Sequence, residues 1–570
     1  MNILKYLVPI VITIVIIITI VVGFLNYKVI QTNKMEGEYR KFLQEYESKI
    51  SSLQEKDSLA YFTAVNSGKD EDYELATKLD IEINDFYMNK KTFAKLKAFK
   101  ESGYILDPLL KRQLDLQYFS FLSSMSDKAT VDEIISTQNE VEKKFNTYRV
   151  NYEGKELSDN EVDNILKTSK DSVQLKAVWE QSKDIGNKVS ADIIKLVKLR
   201  NKDAKDLGFE NYQQMALITN EQDPKEIEKI FDDLDLATKD IYANAKDEID
   251  EALAKNYGIE ISELQPWHYQ NRFFQEVPKV FDIDMDSMYK DKNVLAITRD
   301  YYQKMGMPID EIIEKSDLYG RSGKYQHAMT MLINREGDTR VVSSIQNNSY
   351  WMATSLHEFA HAIYFVKASN KQLPWELRMP SHILTTEAVA ILFQSMAYSP
   401  DWIKQNLNLS EDEINKDRNE ITEYNRLNYL IFSRWAQVMY HFEKAMYENP
   451  DQDLSKLWWD NVEKYQLIKK PEGRNAPDWA SKIHISTSPV YYHNYMLGYL
   501  YAAQLQHYIN TNILKTDEKN PSYTGKTEVG EYLVKKVFEL GNRYIWSTFV
   551  EKTTGEKLNP RYFANQVNKK

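Results

Sequence analysis

Apolar residues recur every three or four positions along most of this 570-residue chain, which is the spacing of amphipathic α-helices. The stretches 225–256 and 427–447 keep this spacing over several turns. Beyond about residue 60 there is no Gly/Ser-rich linker, internal repeat or low-complexity run. The pattern predicts one predominantly α-helical body over residues 61–570.

One stretch departs from the helical spacing, between residues 328 and 345. Two β-prone runs flank the triplet Glu336-Gly337-Asp338, which is typical of a hairpin turn. We therefore expect a lone β-hairpin within the helical body.

Residues 6–25 form an apolar run without a single charge. A helix of this length spans about 30 Å, the thickness of the hydrocarbon core of a bilayer. A cleaved signal peptide is the alternative, but the run exceeds the usual signal core and no small-residue cleavage site follows Phe24. We expect an uncleaved, single-pass signal anchor preceded by a stub at residues 1–5.

The charges that flank this run give conflicting indications of its orientation. The basic residues are Lys5 on the N-terminal side and, on the C-terminal side, Lys28, Lys34, Arg40 and Lys41. Counting positive charges would put the body in the cytoplasm. A short basic stub followed by one apolar run is instead the layout of a secretory anchor, so we expect a cell-membrane protein with an extracytoplasmic body.

Residues 26–60 are polar and charged, with widely spaced apolar residues. These follow a helical spacing and include Phe42, Tyr46, Ile50 and Leu53. The segment is predicted as a charged stalk helix that leads into the body.

The composition excludes several classes of function. Acidic residues outnumber basic ones by 84 to 73, giving a net charge of −11, which argues against non-specific binding of nucleic acids. The absence of cysteine excludes a disulfide framework, a thiolate zinc finger, an iron–sulfur cluster and a cysteine nucleophile. The chain has only 18 glycines and 15 prolines, which favours long helices over turn-rich β structure.

The strongest chemical signal is the sequence His357-Glu358-Phe359-Ala360-His361. It lies in a predicted helix from Ser349, a plausible N-cap, to about Ala368. Histidines at positions i and i+4 share one helix face and can bind a single zinc ion, while the adjacent Glu358 can take a proton from zinc-bound water. The alternative is two unrelated histidines on a buried helix face.

A catalytic zinc site needs a third protein ligand, and Glu387 is the best candidate. It lies 26 residues after His361, in a predicted helix that starts near Ser381 and ends before Pro400. Its neighbours in the sequence are apolar, and a carboxylate among them is costly unless it is paired or bound to metal. A surface glutamate on an amphipathic helix is the alternative.

These motifs resemble those of the peptidyl-dipeptidase A family, the angiotensin-converting enzyme-like zinc peptidases. In that family the two histidines of HExxH and a downstream glutamate bind the metal. The resemblance covers the body from about residue 60, with its motifs concentrated between His327 and Tyr495. It implies an all-α fold whose two halves enclose a deep central cleft, with one Zn²⁺ per chain and a small hairpin beside it.

The resemblance also implies residues that bind substrate. The pair His327-Ala328 lies 30 positions before His357, as a His-Ala pair does in the family. There the histidine contacts a substrate carbonyl and the strand that follows pairs with the peptide backbone, which explains a lone hairpin. By the sequence alone, a loop histidine is the alternative for His327.

The segment Lys482-Ile483-His484 resembles the family's Lys-x-His, in which the lysine binds the substrate's C-terminal carboxylate and the histidine stabilises the transition state. Downstream, Tyr492 and Tyr495 resemble a tyrosine that binds the carboxylate and one that donates to the oxyanion. The match needs one extra residue after His484, so Tyr491 is a rival for the first role. By pattern alone, both tyrosines would be core residues.

Two positions depart from the family pattern, and two histidines lie close to the motifs. Ile391 stands where the family has an aspartate that orients a zinc-binding histidine, so the residues that support the metal ligands must differ. Asn494 replaces the family's chloride-binding arginine, which makes chloride activation doubtful. We interpret His382 and His493 as hydrogen-bonded polar residues.

The sequence thus predicts a zinc peptidase that releases dipeptides from the C-termini of short peptides. Glu358 would act as general base, His484 and Tyr495 would stabilise the oxyanion, and Lys482 with Tyr492 would bind the terminal carboxylate. A zinc carboxypeptidase or an endo-oligopeptidase of the same fold stays open. So does a membrane-tethered binding protein without catalytic activity.

Overall fold

The computed structural model describes residues 4–516 and 522–569. Residues 1–3 of the predicted N-terminal stub lie outside the described range. The described chain is predominantly helical, as the apolar spacing predicts. Two small antiparallel sheets interrupt the helices of its described part.

The first part of the chain contains ten helices and one hairpin within the described residues. They are α1 (Leu4–Ser67), α2 (Asp70–Tyr87), α3 (Lys90–Ser102), α4 (Pro108–Leu122), α5 (Lys128–Thr147), β1 (Val150–Tyr152), β2 (Lys155–Leu157), α6 (Asp159–Thr168), α7 (Ser172–Lys183), α8 (Ile185–Asp206), α9 (Tyr212–Thr219) and α10 (Pro224–Tyr257). The β1–β2 hairpin was not predicted. Its turn, Glu153-Gly154, has positive φ at both residues, as a two-residue hairpin turn requires.

The second part contains the predicted hairpin and the predicted motif helices. Its elements are α11 (Met285–Tyr289), α12 (Val294–Lys304), α13 (Asp310–Lys315), β3 (Met329–Leu332), β4 (Thr339–Val342), α14 (Ser349–Ala368), α15 (Ile383–Gln394), α16 (Pro400–Leu407), α17 (Glu411–Asn415), α18 (Arg418–Glu448), α19 (Leu454–Gln466), α20 (His484–Thr487), α21 (His493–Tyr508), α22 (Thr527–Tyr532), α23 (Trp546–Thr554) and α24 (Arg561–Val567). Short 3₁₀ turns cover Ile261–Glu263, Pro266–Tyr269, Trp375–Leu377, Ser395–Tyr398, Asp478–Ser481 and Phe538–Leu540, and π turns cover Ile509–Leu514 and Leu533–Val537.

Several helices begin directly after a capping residue. Asp107, Asp223 and Ser399 each accept a backbone N–H in the first turn, and each is followed by a proline at the first helical position. Proline is tolerated there because the N–H that it lacks has no partner within the helix. These pairs therefore fix where α4, α10 and α16 begin.

Two predicted helix starts need correction. Asn348 caps α14 by accepting the Trp351 N–H, because the hydroxyl of the expected cap, Ser349, donates to Asp286 instead. The sequence Ser488-Pro489 also predicts a helix start, because proline is typical of the first helical position. The helix α21 starts only at His493, since the intervening backbone leaves the helical region.

The apolar side chains pack in two clusters. The larger one extends from Val141 to Val567 and includes the buried faces of α14, α15, α18 and α21. The smaller one lies among α1, α3 and α4, where Tyr39 and Ile50 are fully buried. Residues 26–60 are thus helical, as predicted, but from Tyr39 onward they pack as part of the body rather than standing apart as a stalk.

The N-terminal helix is the one element within the described residues that is long and apolar enough to cross a membrane. Its apolar residues from Leu7 to Ile30 are exposed rather than packed against the body. A membrane span and a signal sequence both have this character.

Candidate active site

The two motif histidines lie one turn apart on α14 and point in the same direction. Their Nε2 atoms are 3.0 Å apart. The Oε2 atom of Glu387, on the neighbouring helix α15, lies 3.8 Å from Nε2 of His357 and 3.9 Å from Nε2 of His361. The structure therefore brings the three predicted metal ligands together.

The separations among these three atoms suit a single metal ion. Ligands of a tetrahedral zinc with bonds of about 2.0–2.1 Å lie about 3.3 Å apart, and the three separations fall on both sides of that value. Two imidazoles and one carboxylate leave a fourth position for water or substrate, which is the arrangement of catalytic rather than structural zinc.

A glycine on α21 allows α15 to pack closely beside the third ligand. A Cβ atom at Gly498 would lie 3.1 Å from Cβ of Glu387 and 3.3 Å from Cδ1 of Ile391. Any larger residue would push against the helix turn that carries Glu387. Gly498 thus helps to set the distance between Glu387 and the histidines.

The protonation states of the site follow from its burial. Desolvation lowers the pKa of His357 to about 4 and also lowers the pKa of His361, so both imidazoles are neutral and able to bind a metal ion. Burial raises the pKa of Glu358 to about 7. Burial and the nearby charge of Glu358 raise the pKa of Glu387 to about 7. A bound cation would favour the ionised carboxylates.

A threonine supports the second histidine. His361 Nδ1 lies 2.6 Å from Oγ1 of Thr386, the residue just before Glu387 on α15. With Nδ1 protonated and donating to this hydroxyl, the Nε2 lone pair is directed at the metal position. Thr386 therefore supplies a contact that the apolar Ile391 cannot, and the sequence pattern gave no indication of it.

The hairpin is directly linked to Glu358. Thr330 on β3 places its hydroxyl 2.7 Å from Oε2 of Glu358 and 2.8 Å from the Glu358 backbone oxygen. The pairing runs from Met329 opposite Val342 to Leu332 opposite Thr339. Its position next to the HExxH helix agrees with the expected place of the hairpin, and the Thr330 contact is a finding of the structure.

The hairpin is extended by a further backbone segment on the β4 side only, within the described residues. On one side β4 is bonded to the segment around Asp317, whose N–H donates to the Val341 carbonyl. The outer edge of β3 has no strand partner among the described residues. Ala328 directly precedes this edge strand. His327 is exposed, with its ring 5.3 Å from that of Tyr325.

Lys482 is buried within an aromatic enclosure. Its Nζ lies 5.2 Å from the ring centre of Phe273, 5.3 Å from that of Trp435 and 5.5 Å from that of Tyr492. It donates to Oε1 of Gln275 at 2.8 Å. Burial lowers its pKa to about 8. The charge of Glu276 opposes this shift, but within the described part of the chain no carboxylate pairs directly with Lys482, so an anionic ligand would be a suitable partner.

Gln275 is a candidate binding residue that the sequence reasoning missed. It is 207 positions from Lys482 in the chain and lies in an irregular stretch without a motif. Only the tertiary fold reveals the contact. A cavity of about 240 Å³ borders Lys482 and His484, and its lining includes Phe273 but not Gln275.

Of the three tyrosines near the site, Tyr492 contacts Lys482, whereas Tyr491 and Tyr495 respond to the charge of the metal-ligand candidate Glu387. The Tyr492 hydroxyl accepts a hydrogen bond from Nε1 of Trp435 at 2.7 Å, which leaves its own proton free to donate. Burial, and in addition the charge of Glu387, raise the pKa values of Tyr491 and Tyr495. Tyr495 lies with its ring centre 5.4 Å from that of Tyr492 and 5.3 Å from that of Tyr491.

His484 lies beside these tyrosines, with its ring centre 5.4 Å from that of Tyr492. Burial, helped by the charge of Lys482, lowers its pKa to about 4, so the imidazole is neutral and carries one N–H donor. Its Nδ1 atom is buried and has no hydrogen-bond partner among the described residues. A substrate oxygen is a suitable partner for such a group.

The two neighbouring histidines are hydrogen-bonded, as interpreted from the sequence. His382 accepts the Leu384 N–H and caps α15, and His493 bonds to Oε1 of Gln222. Gln222 in turn donates to Asn494. These contacts are structural and leave neither ring directed at the metal ligands.

Comparison with known proteins agrees with this geometry. The family described as angiotensin-converting enzyme matches the chain over residues 33–561, which include every residue of the site. Carboxypeptidase 1 of Bacillus subtilis (strain 168) is 25% identical over 281 residues, covering 44% of this chain. The match spans about half, 54%, of that relative's length. The chain belongs to the angiotensin-converting enzyme family of zinc metallopeptidases.

Proposed function

We propose that this protein is a zinc-dependent peptidyl-dipeptidase that removes dipeptides from the C-termini of short peptides. The observation that carries the proposal is the His357, His361 and Glu387 group beside Glu358, together with the buried Lys482, whose Nζ lies 5.5 Å from the ring of Tyr492, the neighbour of Tyr495. This combines a site for hydrolysis with a site for a terminal carboxylate.

His357, His361 and Glu387 would hold the zinc ion. Zinc, when bound, lowers the pKa of a water ligand and polarises the carbonyl of the scissile bond. Glu358, oriented by the Thr330 hydroxyl, takes the proton from the attacking water and delivers it to the leaving amine. A buried carboxyl group with a pKa near 7 suits both transfers.

Two donors are available for the oxygen that becomes negatively charged in the transition state. Tyr495, whose pKa is raised by burial and by the charge of Glu387, offers a hydroxyl, and the neutral His484 offers an N–H in a buried setting. Donors fixed in a poorly solvated site stabilise developing charge more than water does. Tyr491 is the alternative to Tyr495, because its pKa also responds to the charge of Glu387.

Lys482, Tyr492 and Gln275 would bind the C-terminal carboxylate of the substrate. Lys482 supplies the positive charge, Tyr492 a free hydroxyl proton and Gln275 an amide next to Nζ. The Tyr492 ring lies between Lys482 and Tyr495, 5.5 Å from the lysine nitrogen and 5.4 Å from the other ring. Two extended residues span about 7 Å and one residue about 3.5 Å, so release of a dipeptide requires the carboxylate-binding groups to lie about 7 Å from the scissile carbonyl.

The other side of the substrate would lie along the hairpin. An extended peptide can form main-chain hydrogen bonds with the free edge of β3, starting at Ala328. His327, at the entry to this strand, would contact a substrate carbonyl. We therefore expect short, extended peptides rather than folded proteins as substrates.

A carboxypeptidase is the second candidate, and the match to Carboxypeptidase 1 of Bacillus subtilis favours it. The same metal group and general base would then remove one residue at a time. The two candidates differ only in how far the carboxylate-binding groups lie from the scissile bond.

The products of one peptide distinguish the candidates. Zinc-loaded protein is incubated with a ten-residue peptide that has a free C-terminus and with its amidated form, and the products are weighed by mass spectrometry. Dipeptide release that amidation suppresses supports the proposal, single residues support a carboxypeptidase, and equal cleavage of both forms refutes the role of Lys482. Glu358→Gln should bind zinc and release nothing. A folded protein without bound zinc would favour the tethered binding protein.

The apolar N-terminal helix would anchor the catalytic body to the cell membrane, with the body outside the cytoplasm. The support is the exposed apolar surface from Leu7 to Ile30. Protease treatment of intact cells tests the orientation. Digestion of the body with an intact cytoplasmic marker is expected, and protection of the body would reverse the assignment.

A further inference from the structure

The segment from His484 to Tyr492, which consists of α20 and the residues that lead to α21, has an unusual backbone. It carries Tyr491 and Tyr492, and His484 lies at its start. Within it, Val490 has a φ of +53°, a left-handed conformation that a β-branched residue rarely adopts. Pro489, just before, has no N–H to offer. Such a conformation persists only where surrounding contacts hold it.

One of these contacts comes from α18. Oε1 of Glu443 accepts the backbone N–H of Val490 at 2.9 Å. The Glu443 side chain is only 4% exposed, so water does not compete for this bond. Burial raises the pKa of Glu443 to about 8, and the Val490 N–H and the charge of Arg200 oppose the shift. A buried carboxyl group is costly, and here its hydrogen bond goes to the residue with the strained backbone.

A second contact comes from α8. The guanidinium group of Arg200 donates to the backbone carbonyl of Ser486 at 2.7 Å and to Oε1 of Gln138 at 2.9 Å. It also donates to the hydroxyl of Tyr447, on the same helix as Glu443, at 3.3 Å. Arg200 is 3% exposed. The segment is therefore fixed at two backbone points, one from each of two long helices.

We propose that Glu443, assisted by Arg200, is a positioning residue that sets the placement of His484, Tyr492 and Tyr495 relative to the substrate. The inference rests on the proposed function. Neither side chain needs to touch the substrate, because each acts through the backbone of the segment that carries the donors. A displacement of about 1 Å at such groups can lower a rate by about 10²-fold.

The test measures kcat per bound zinc for full-length variants on the free-carboxylate peptide. Glu443→Leu removes the acceptor and should lower kcat by about 10²-fold at unchanged zinc content. Glu443→Gln keeps an oxygen acceptor and should stay within a few-fold of the wild type. Asp203→Leu is the matched control, because Asp203 is a buried carboxylate on α8 that bonds to Ser126 instead of the segment. It should lower the melting temperature but leave kcat per zinc unchanged.

Amide hydrogen exchange supplies a readout that does not depend on catalysis. Backbone amides of residues 485–495 should exchange faster in Glu443→Leu than in the wild type, and at the wild-type rate in Asp203→Leu. If exchange of these amides is the same in Glu443→Leu and the wild type, the positioning role of Glu443 is refuted. An inactive wild type would refute the proposed function but not the positioning role, because amide exchange is measured without catalysis. Wild-type kcat per zinc in Glu443→Leu also refutes the positioning role. If that variant does not fold, Glu443→Asp, with its shorter side chain, decides by the same two measurements, with kcat about tenfold lower expected.

Discussion

Replacement of Thr386 by valine tests how the second histidine is oriented. Valine has nearly the shape of threonine and removes only the hydroxyl that bonds to Nδ1 of His361 at 2.6 Å. Thr386 is 2% exposed, so no solvent water takes the place of the hydroxyl. The imidazole N–H would lose its partner inside the protein.

The size of the effect follows from this burial. An unpartnered buried donor costs about 1–3 kcal/mol. The metal-free protein is also destabilised by the loss of this hydrogen bond. The metal-bound protein is destabilised more, because a metal-bound imidazole is a stronger hydrogen-bond donor, and the difference appears as weaker metal binding. Removal of such a supporting contact typically weakens metal binding about 10–100-fold, which corresponds to about 1.4–2.7 kcal/mol. We expect Thr386→Val to lie in this range.

Competition with a chelator of known affinity measures the zinc dissociation constant. Thr385→Val is the matched control, because it is the same chemical change one residue earlier. The Thr385 hydroxyl donates to the His382 carbonyl at 2.7 Å within the first turn of α15, whereas the hydrogen bond to His361 comes from Thr386. That variant should lose stability and keep its zinc affinity. Equal zinc affinity in Thr386→Val and the wild type would refute the assigned role of the hydroxyl.

Further expectations concern the metal ligands, the general base and the carboxylate site. Gly498→Ala introduces a Cβ atom 3.1 Å from that of Glu387, so zinc affinity, measured by chelator competition, should fall about tenfold. Unchanged affinity would mean that α21 moves to make room for the methyl group and Glu387 keeps its position. Glu358→Gln should lower kcat by at least about 10²-fold with stoichiometric zinc, and retained activity would exclude Glu358 as general base. Lys482 is charged below its pKa of about 8, so kcat/KM for free-carboxylate peptides should decline above that pH. The decline in kcat/KM should be absent with amidated peptides and in the Lys482→Met variant. If the decline persists in either case, a titrating group other than Lys482 causes it. Chelation should abolish activity and lower the melting temperature, because an ion at 1,000 times its dissociation constant stabilises the folded state by about 4 kcal/mol; zinc should reverse both effects.

The sequence predicted the parts of this protein that depend on local periodicity. Helical spacing located α10 and α18, and the i, i+4 histidines located the metal-binding face of α14. The hairpin was predicted because its turn triplet stands between two β-prone runs. In each case the information lies within a few residues of chain, which is the range over which backbone propensities act.

Contacts between distant segments could not be predicted in this way. Thr330, Thr386 and Gln275 are common residue types in unremarkable positions, and each acquires its role only when another element is packed against it. The left-handed Val490 is a similar case, since no single-residue preference predicts a valine with positive φ. Family resemblance indicated candidate catalytic side chains but not the groups that orient them, because the aspartate expected four residues after Glu387 is absent here.

The packing of α1 changes how the apolar N-terminal run relates to the active site. The helix continues from Leu4 to Ser67 without a proline beyond Pro9. Its far end bonds to the segment that leads into the hairpin, where the Tyr325 N–H donates to the Val65 carbonyl, and Glu55 accepts a hydrogen bond from Asn334 in the turn. The same hairpin contacts Glu358 through Thr330. An anchored helix of this kind would fix the orientation of the catalytic body against the bilayer, whereas a flexible stalk would let the body rotate. Among the side chains with described burial, Tyr39 is the first that is fully buried, and it follows the end of the apolar run at Leu25 by about 21 Å of helix. If the run spans a bilayer, the packed body would therefore begin close to the membrane surface.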